Sequence, residues 1–349
     1  MGSGSAAGIA SSPGSVAQSP ARSATPSTPE TLWAAGERRV AIEQLAAQVA
    51  AQGPSASPAT VERLVRWRLT VHQYAGALAD LDRTGVPLDR LRGEALYALT
   101  RYDEALPLLD PEAPEHALLV IDALEALGRL DEAARALEAA HRTLAGDPRL
   151  HCFVGRIKAR EGDHRAAVTA FRRALEADPV DLAAMFGLGR ALIATGERED
   201  GLSVLERHRA CVPLVDALDF ARQGLDLAPN SAPNLAAVAD AERALGLLDK
   251  AQEHYRLALA RADATNRTAI ALRFARLRDE DLGDASGAVA VLEDAFVRER
   301  DVRLAVRAGD VLRRAERRTE AILWYERALD LRPGDRAILE RLDGLRSNQ

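Results

Sequence analysis

A pattern of glycine, alanine and proline residues occurs twice in succession between Pro148 and Pro213, with a period of 34 residues. Three pairs of residues hold equivalent positions in the two copies: Gly155 and Gly189, Gly162 and Gly196, and Pro179 and Pro213. A unit of this length cannot bury its own apolar face alone, so successive copies must stack on one another. The period therefore predicts a repeat array rather than one compact core.

Each copy of the pattern is expected to form two antiparallel helices. Gly155 and Ala167 fall where the two helices cross, and a bulky side chain at either position would push the helices apart. Gly162 can take the left-handed conformation that ends the first helix, and Asp163 can cap the second. Pro179, which lacks a backbone N–H, is expected to end the second helix before the next unit begins.

These residues resemble the tetratricopeptide repeat (TPR) family. The small-residue and proline positions of the family are matched in order, while its first aromatic position is His151 in one copy and Met185 in the other. The resemblance implies an all-α fold, an α-α superhelix (solenoid) of antiparallel helix pairs. The matched positions are structural, so they predict the fold and leave the ligand open.

Weaker copies of the pattern occupy most of the remaining chain. They are expected at residues 30–52, 59–84, 87–110 and 114–146 before the central pair, and at 232–263, 269–301 and 302–333 after it. Pro107 falls inside a second helix and should kink or shorten it. A last helix over residues 336–346 is expected to cap the array, because terminal repeats need a polar outer face.

The period is interrupted after Pro213. Before Pro229 the chain has room for one helix only, over residues 214–227, and this helix looks like the second half of a unit whose first half is missing. Because first and second helices alternate in such arrays, an unpaired helix should break the superhelix. The predicted division is an N-terminal TPR block at 30–213, the unpaired helix at 214–231, and a C-terminal TPR block with its capping helix at 232–349.

Residues 1–29 are rich in Ser, Gly, Ala, Pro and Thr, with almost no charged or large apolar residues. Such a segment cannot bury enough surface to offset the entropy of ordering, so it is predicted to be a disordered tail. Whether it is a native tether, a processed leader or an expression tail is left open. It has no apolar core of the signal-peptide kind.

Composition narrows the class of partner. The net charge is −6 and aromatics make up 4% of residues, which does not favour a nucleic-acid binder. No run of eighteen apolar residues occurs, so no transmembrane segment is expected in this chain. Lysine occurs only at Lys158 and Lys250 beside abundant arginine and alanine, which is typical of a GC-rich, bacterial genome.

The sequence offers few candidates for catalysis. His208 and Cys211 could supply two metal ligands one helical turn apart, but no second pair lies at metal-site spacing. Cys152 has no glycine-rich or strand-turn context that would activate a nucleophile, and no phosphate-binding loop is present. The chain is therefore predicted to be non-catalytic, without cofactor or metal.

The family resemblance implies that the first helix of each unit lines a concave groove. Family members that clamp the C-terminal carboxylates of heat-shock chaperones use a Lys and Asn set there. The matching positions here are Cys152, Phe153 and Arg156 in one unit and Phe186, Gly187 and Arg190 in the next. Binding of chaperone tails is therefore not expected.

The centre of the groove is instead predicted to have a basic lining with aromatic side chains. Its candidate partner-binding residues are Arg149, Cys152, Phe153, Arg156, Arg160, Phe186 and Arg190. Guanidinium groups suit carboxylates, so the predicted ligand is a protein or peptide with acidic segments. The alternative is that these arginines are solvated charges that balance acidic outer helices. A second basic cluster consists of Arg303, Arg307, Arg313 and Arg314, with Asp310 among them.

The leading functional hypothesis is a non-catalytic scaffold or adaptor that binds a partner protein or peptide in its groove within a multiprotein assembly. One alternative keeps the fold and places it outside the cytoplasm, as a membrane-tethered assembly factor. Another is a regulatory appendage of a larger enzyme. The residues do not decide between a cytoplasmic and an extracytoplasmic setting.

Overall fold

The computed structural model describes residues 27–346, and every regular element in that range is helical. Nine antiparallel helix pairs follow one another and a single helix closes the array, which confirms the predicted all-α superhelix. The predicted tail falls almost entirely on residues 1–26, outside the described range.

The helices are numbered in chain order. The first six pairs are α1 (Pro29–Ala35) and α2 (Arg38–Gln52), α3 (Pro58–Thr70) and α4 (Tyr74–Thr84), α5 (Asp89–Ala98) and α6 (Tyr102–Ala105), α7 (Pro114–Ala126) and α8 (Leu130–Thr143), α9 (Leu150–Arg160) and α10 (His164–Ala177), and α11 (Leu182–Thr195) and α12 (Arg198–Leu227). The remainder are α13 (Ala232–Ala244) and α14 (Leu248–Arg261), α15 (Arg267–Arg276) and α16 (Ala285–Glu299), α17 (Val302–Arg314) and α18 (Arg318–Leu331), and the closing helix α19 (Arg336–Arg346).

The fifth pair shows why the repeat pattern folds as it does. Gly162 has φ 84° at the turn, and the Asp163 carboxylate accepts a hydrogen bond from the Ala166 N–H at 3.0 Å, capping α10. Where α9 crosses α10, a Cβ on Gly155 would lie 2.6 Å from the Phe171 ring. The glycine is therefore required by the close approach of the two helices, as the sequence predicts.

The ends of the array and its weakest pair follow their local sequence. Pro107 lies in a 3₁₀ turn directly after α6, which is only four residues long. This confirms the predicted shortening. At the other end, α19 buries Ile338 and Leu342 against the last pair and so covers its apolar face.

The helix boundary predicted at Pro213 is wrong, because α12 continues through this residue for 30 residues in all. Pro179 is followed within two residues by Asp181, whose side chain caps α11, whereas Pro213 has no turn or cap directly after it. Contacts at both ends of α12 compensate for the backbone hydrogen bond that Pro213 cannot donate. Near the start of the helix, Gly201 is buried against α11. Near its end, the Gly224 carbonyl accepts a hydrogen bond from the Asn234 side chain on α13 at 2.6 Å. The division into blocks at 30–213 and 232–349 stays a prediction.

The end of α12 returns to the beginning of the array. Arg38 Nη1 donates to the Asp226 carbonyl at 2.8 Å, and His72 Nε2 lies 3.0 Å from the Asp226 carboxylate. Asn230 donates to the Ala35 carbonyl at 3.1 Å. The helices from α1 to α12 therefore form a closed loop.

Candidate functional site

Two adjacent cavities lie along the first helices of the fourth, fifth and sixth pairs. The larger has a volume of about 580 Å³. It is lined by Tyr97, Leu118, Leu119, Asp122, Pro148, Arg149, Cys152, Phe153, Arg156, Ala174, Ala177, Asp178, Asp181, Ala183 and Lys250. Lys250 comes from the start of α14, so the C-terminal half of the chain contributes to this cavity.

The smaller cavity has a volume of about 460 Å³. Its lining is Arg156, Ala159, Arg160, His164, Phe171, Ala183, Phe186, Gly187, Arg190, Ala191 and Ala194. Arg156 and Ala183 belong to both cavities. The structure thus brings the seven residues predicted from the sequence onto two neighbouring cavities, which we call the groove; that they bind a partner stays a prediction.

The repeat period explains this convergence. Asp122, Arg156 and Arg190 are spaced 34 residues apart, so they occupy the same position on α7, α9 and α11. Stacking of the repeats makes residues one period apart into neighbours. The Arg156 guanidinium accordingly donates to the Asp122 carboxylate at 3.0 Å.

A buried carboxylate lies beneath the groove. Glu125 is 3% exposed, forms an ion pair with Arg156, and lies 3.2 Å from the Arg160 guanidinium. Burial raises the pKa of the Glu125 carboxyl above its usual value, while the two arginines oppose that shift. Tyr97 donates to the Asp122 carboxylate at 2.8 Å, and its own pKa is raised, mainly by burial. Arg156 is therefore partly a structural residue.

The groove is less basic than the sequence suggests. Arg149 pairs with Asp147 at 2.6 Å, so it too has a carboxylate partner, as Arg156 and Arg160 do. Arg190 differs: its guanidinium lies over the Phe186 ring, 5.7 Å from the centroid, and no ion pair to it occurs among residues 27–346. Three of the four arginines predicted to line the groove therefore have a carboxylate partner. The groove has fewer unpaired cations than the sequence predicts.

Sequence reasoning missed several groove residues. Asp122 could have been found, because it stands one period before Arg156. Tyr97 is on α5, a first helix that lies outside the predicted centre of the groove. Lys250 lies 67 or more positions from every other residue that lines the larger cavity, the nearest in sequence being Ala183, and no local pattern indicates that placement.

The second basic cluster is largely neutralised within the chain. Arg303 pairs with Asp301 at 2.6 Å, and Arg307 lies 2.9 Å from Glu280. Arg314 pairs with Asp279. The Arg303 pair is local to the start of α17, whereas the pairs of Arg307 and Arg314 connect neighbouring units, which favours a structural role for those two arginines.

The two cysteines and their neighbouring histidines lie in different surroundings. Within the described range no three His, Cys, Asp or Glu side chains converge on a possible metal position. The ring of His208 packs on Phe186, with 5.6 Å between centroids. Burial raises the pKa of the Cys152 thiol to about 12, whereas Cys211 is only half-buried.

We expect iodoacetamide at pH 8 to modify Cys211 well before Cys152 in the folded chain. Burial raises the pKa of the Cys152 thiol far above this pH, so little of it is thiolate, and the side chain is buried. Mass spectrometry of peptides after timed labelling measures both rates. Labelling in urea is the control, and similar rates in the folded chain would contradict the burial of Cys152.

Two segments of the chain match a known protein family. Residues 155–214 and 277–336 match the family described as tetratricopeptide repeat, and both segments coincide with helix pairs described above. The chain is a tetratricopeptide repeat protein. No curated protein matches this TPR chain in sequence.

Three solved structures that align with this TPR protein illustrate the range of matches. They are MamA (18% identity, covering 52% of this chain and 90% of that chain, TM-score 0.29), TTC0263 of Thermus thermophilus, a thermophilic TPR protein (24%, 57% and 99%, 0.26), and the Cut9–Hcn1 hetero-tetramer of APC/C (12%, 91% and 88%, 0.30). All are below 25% identity.

The TPR fold is in general a non-catalytic module for protein interaction, so membership of this family implies protein partners. None of the helices in residues 27–346 combines the length and the apolar character needed to cross a bilayer.

Proposed function

We propose that this TPR protein is a non-catalytic scaffold that holds a segment of a partner protein in the groove, as one component of a multiprotein assembly. The observation that supports this most directly is the pair of adjacent cavities on three consecutive first helices, of about 580 and 460 Å³. Cavities of this size accommodate ligand groups and bury most of their surface. Their shared boundary at Arg156 suits a chain that places successive side chains in each.

The preferred segment is acidic and carries apolar side chains. Arg190 and Lys250 have no ion-pair partner in the described range, and the Arg149 side chain is 67% exposed although it contacts Asp147. These cations can receive carboxylates without breaking a buried pair. Phe153 and Phe186 supply partly exposed rings beside them for apolar contacts.

Affinity capture from the source organism with a charge-reversed groove tests this proposal. The full chain is the bait, beside an Arg149→Glu, Lys250→Glu variant. We expect the variant to lose a partner that the unaltered chain captures, because both substitutions place negative charge at the rim of the larger cavity.

The matched control reverses two exposed arginines on the outer helix α10, with Arg165→Glu and Arg173→Glu. It changes the net charge by the same amount away from the groove. Equal capture by all three baits, with each folded by circular dichroism, would contradict groove binding. Mass spectrometry of cross-linked peptides then shows whether the bound segment is acidic.

A further inference from the structure

The first half of α12 lacks the covering helix that its counterpart α10 has. In α10, Val168, Ala170 and Phe171 are 6%, 6% and 0% exposed, because α11 packs over them. One period later, Leu202 is 44% exposed, and Val204 and Leu205 are only half-buried. We call the surface formed by Leu202, Val204 and Leu205 the ledge.

The interrupted period is the cause of the ledge. The helix that follows α12 in the chain is α13, and it packs at the far end of α12, where Asn234 contacts Gly224. Helix α2 also contacts α12, through a small interface at that far end near Asp226. The place of one first helix beside α11 is therefore empty among the described residues.

The edge of α11 that faces this unfilled position also lacks an ion pair to a following first helix. Elsewhere, consecutive first helices are joined by ion pairs at the groove position, such as Asp122 with Arg156 and Asp240 with Arg273 at 2.9 Å. Arg190 holds the same position, but one period later the chain has Gly224, inside α12. The row of charged groups ends at Arg190 without a carboxylate.

We propose that the ledge, together with Phe186 and Arg190, is the docking site for an amphipathic α-helix of a partner protein. The partner helix lies antiparallel to the first half of α12 and replaces the missing first helix. Its apolar residues, at i, i+3, i+4 and i+7, cover Leu202 and Leu205, and an Asp or Glu on its groove edge pairs with Arg190.

A helix fits this site better than an extended segment, because a helix fills each equivalent place between consecutive pairs in the described array. The partner's groove edge is acidic because the site presents Arg190 and the chain supplies no carboxylate to it. This docking site rests on the proposed scaffold function and adds that the partner binds as a helix. The residues that form it are not those that line the larger cavity around Lys250.

A peptide of residues 231–246, acetylated and amidated at its ends, is the probe that tests this site. It reproduces α13, a first helix that buries Leu235, Ala236 and Ala239 and carries Asp240 at the groove position. We expect saturable one-to-one binding to the full chain by fluorescence anisotropy. Leu202→Glu should abolish binding, because it places a charge at the most exposed apolar residue of the ledge.

Charge exchange tests the predicted ion pair. Arg190→Glu should weaken binding of the peptide by about tenfold or more, equivalent to about 1.4 kcal/mol. A peptide with Asp240→Arg should bind the Arg190→Glu chain more tightly than it binds the unaltered chain. As a control, Leu323→Glu alters a leucine of similar exposure on α18 and should leave binding unchanged.

Lack of saturable binding, or equal binding to the Leu202→Glu chain, would overturn the proposal. The proposal would also be overturned if light scattering showed a dimer of the unaltered chain that Leu202→Glu dissociates. Binding of the peptide only after removal of residues 1–26 would overturn it as well. The Arg149→Glu, Lys250→Glu variant should bind the peptide normally, so failure of groove binding and failure of this site can be told apart.

Discussion

Replacement of Arg156 by alanine is expected to lower the free energy of unfolding by roughly 3 kcal/mol at neutral pH, because removing one partner of a buried ion pair strands the other. The stranded group is Glu125, which is 3% exposed and would keep only Arg160 as a counter-charge. Urea unfolding followed by circular dichroism measures the difference. The loss should appear even though Arg156 lines the groove and looks from the sequence like a ligand-binding residue.

The effect of this substitution should depend on pH. Burial raises the pKa of Glu125, so the folded chain binds the proton more tightly than the unfolded chain does. The contribution of such a group to stability is full below its unfolded pKa and is lost as the pH rises through its folded pKa. Without Arg156 the pKa of Glu125 rises further, and the penalty should shrink between about pH 7 and about pH 4.

A second substitution provides the control for this prediction. Adding Glu125→Gln to Arg156→Ala removes the buried charge and should recover part of the stability at neutral pH, with little pH dependence left. A penalty for Arg156→Ala that stays the same at both pH values would show that the loss comes from packing and not from the stranded carboxylate.

Gly187→Ala is expected to destabilise the chain by about 1–3 kcal/mol, because it overpacks a close contact. A Cβ at this position would lie 2.3 Å from Cζ of Phe171, whose fully buried ring is held between Gly155 and Gly187. The sign is the opposite of that expected for an unhindered helix, where alanine is favoured over glycine by roughly 0.5–1 kcal/mol. Thermal and urea unfolding both measure it.

Gly344 in α19 is the matched control, since, apart from its chain neighbours and its own helix backbone, nothing lies within 4 Å of the position that a Cβ would occupy there. Gly344→Ala should leave stability unchanged or raise it slightly. The penalty of Gly187→Ala should also fall when Phe171→Leu is present, because the shorter side chain leaves room for the methyl group. Equal penalties in both backgrounds would locate the strain elsewhere.

The repeat pattern predicted most of the fold because its signals are local. Gly162 and Asp163 form and cap a single turn, and Gly155 packs against Phe171, which is only sixteen residues away. The same period placed Arg156 and Arg190 on neighbouring helices, and the seven candidate residues line the two adjacent cavities; that they bind a partner stays a prediction. Local sequence is sufficient wherever the contact lies within one or two repeats.

Features that depend on distant packing could not be predicted in this way. Pro213 has the sequence character of a helix end, yet contacts at both ends of α12 keep it inside one helix. Lys250 reaches the larger cavity because of the path of the whole array. The pairing of Arg156 with Glu125 depends on burial, and the chemistry of a guanidinium alone does not distinguish a ligand-binding arginine from one that neutralises a core carboxylate.

The closed loop of helices also determines when the contacts between its two ends can form during synthesis. Arg38 and the Asp226 carbonyl to which it donates are 188 positions apart. A ribosome that adds roughly 5–20 residues per second completes Asp226 roughly 10–40 s after Arg38. The intervening repeats can fold as they emerge, because their contacts are local. Until α12 is made, the surface of the first pair that later receives it is open to chaperones and to other nascent chains.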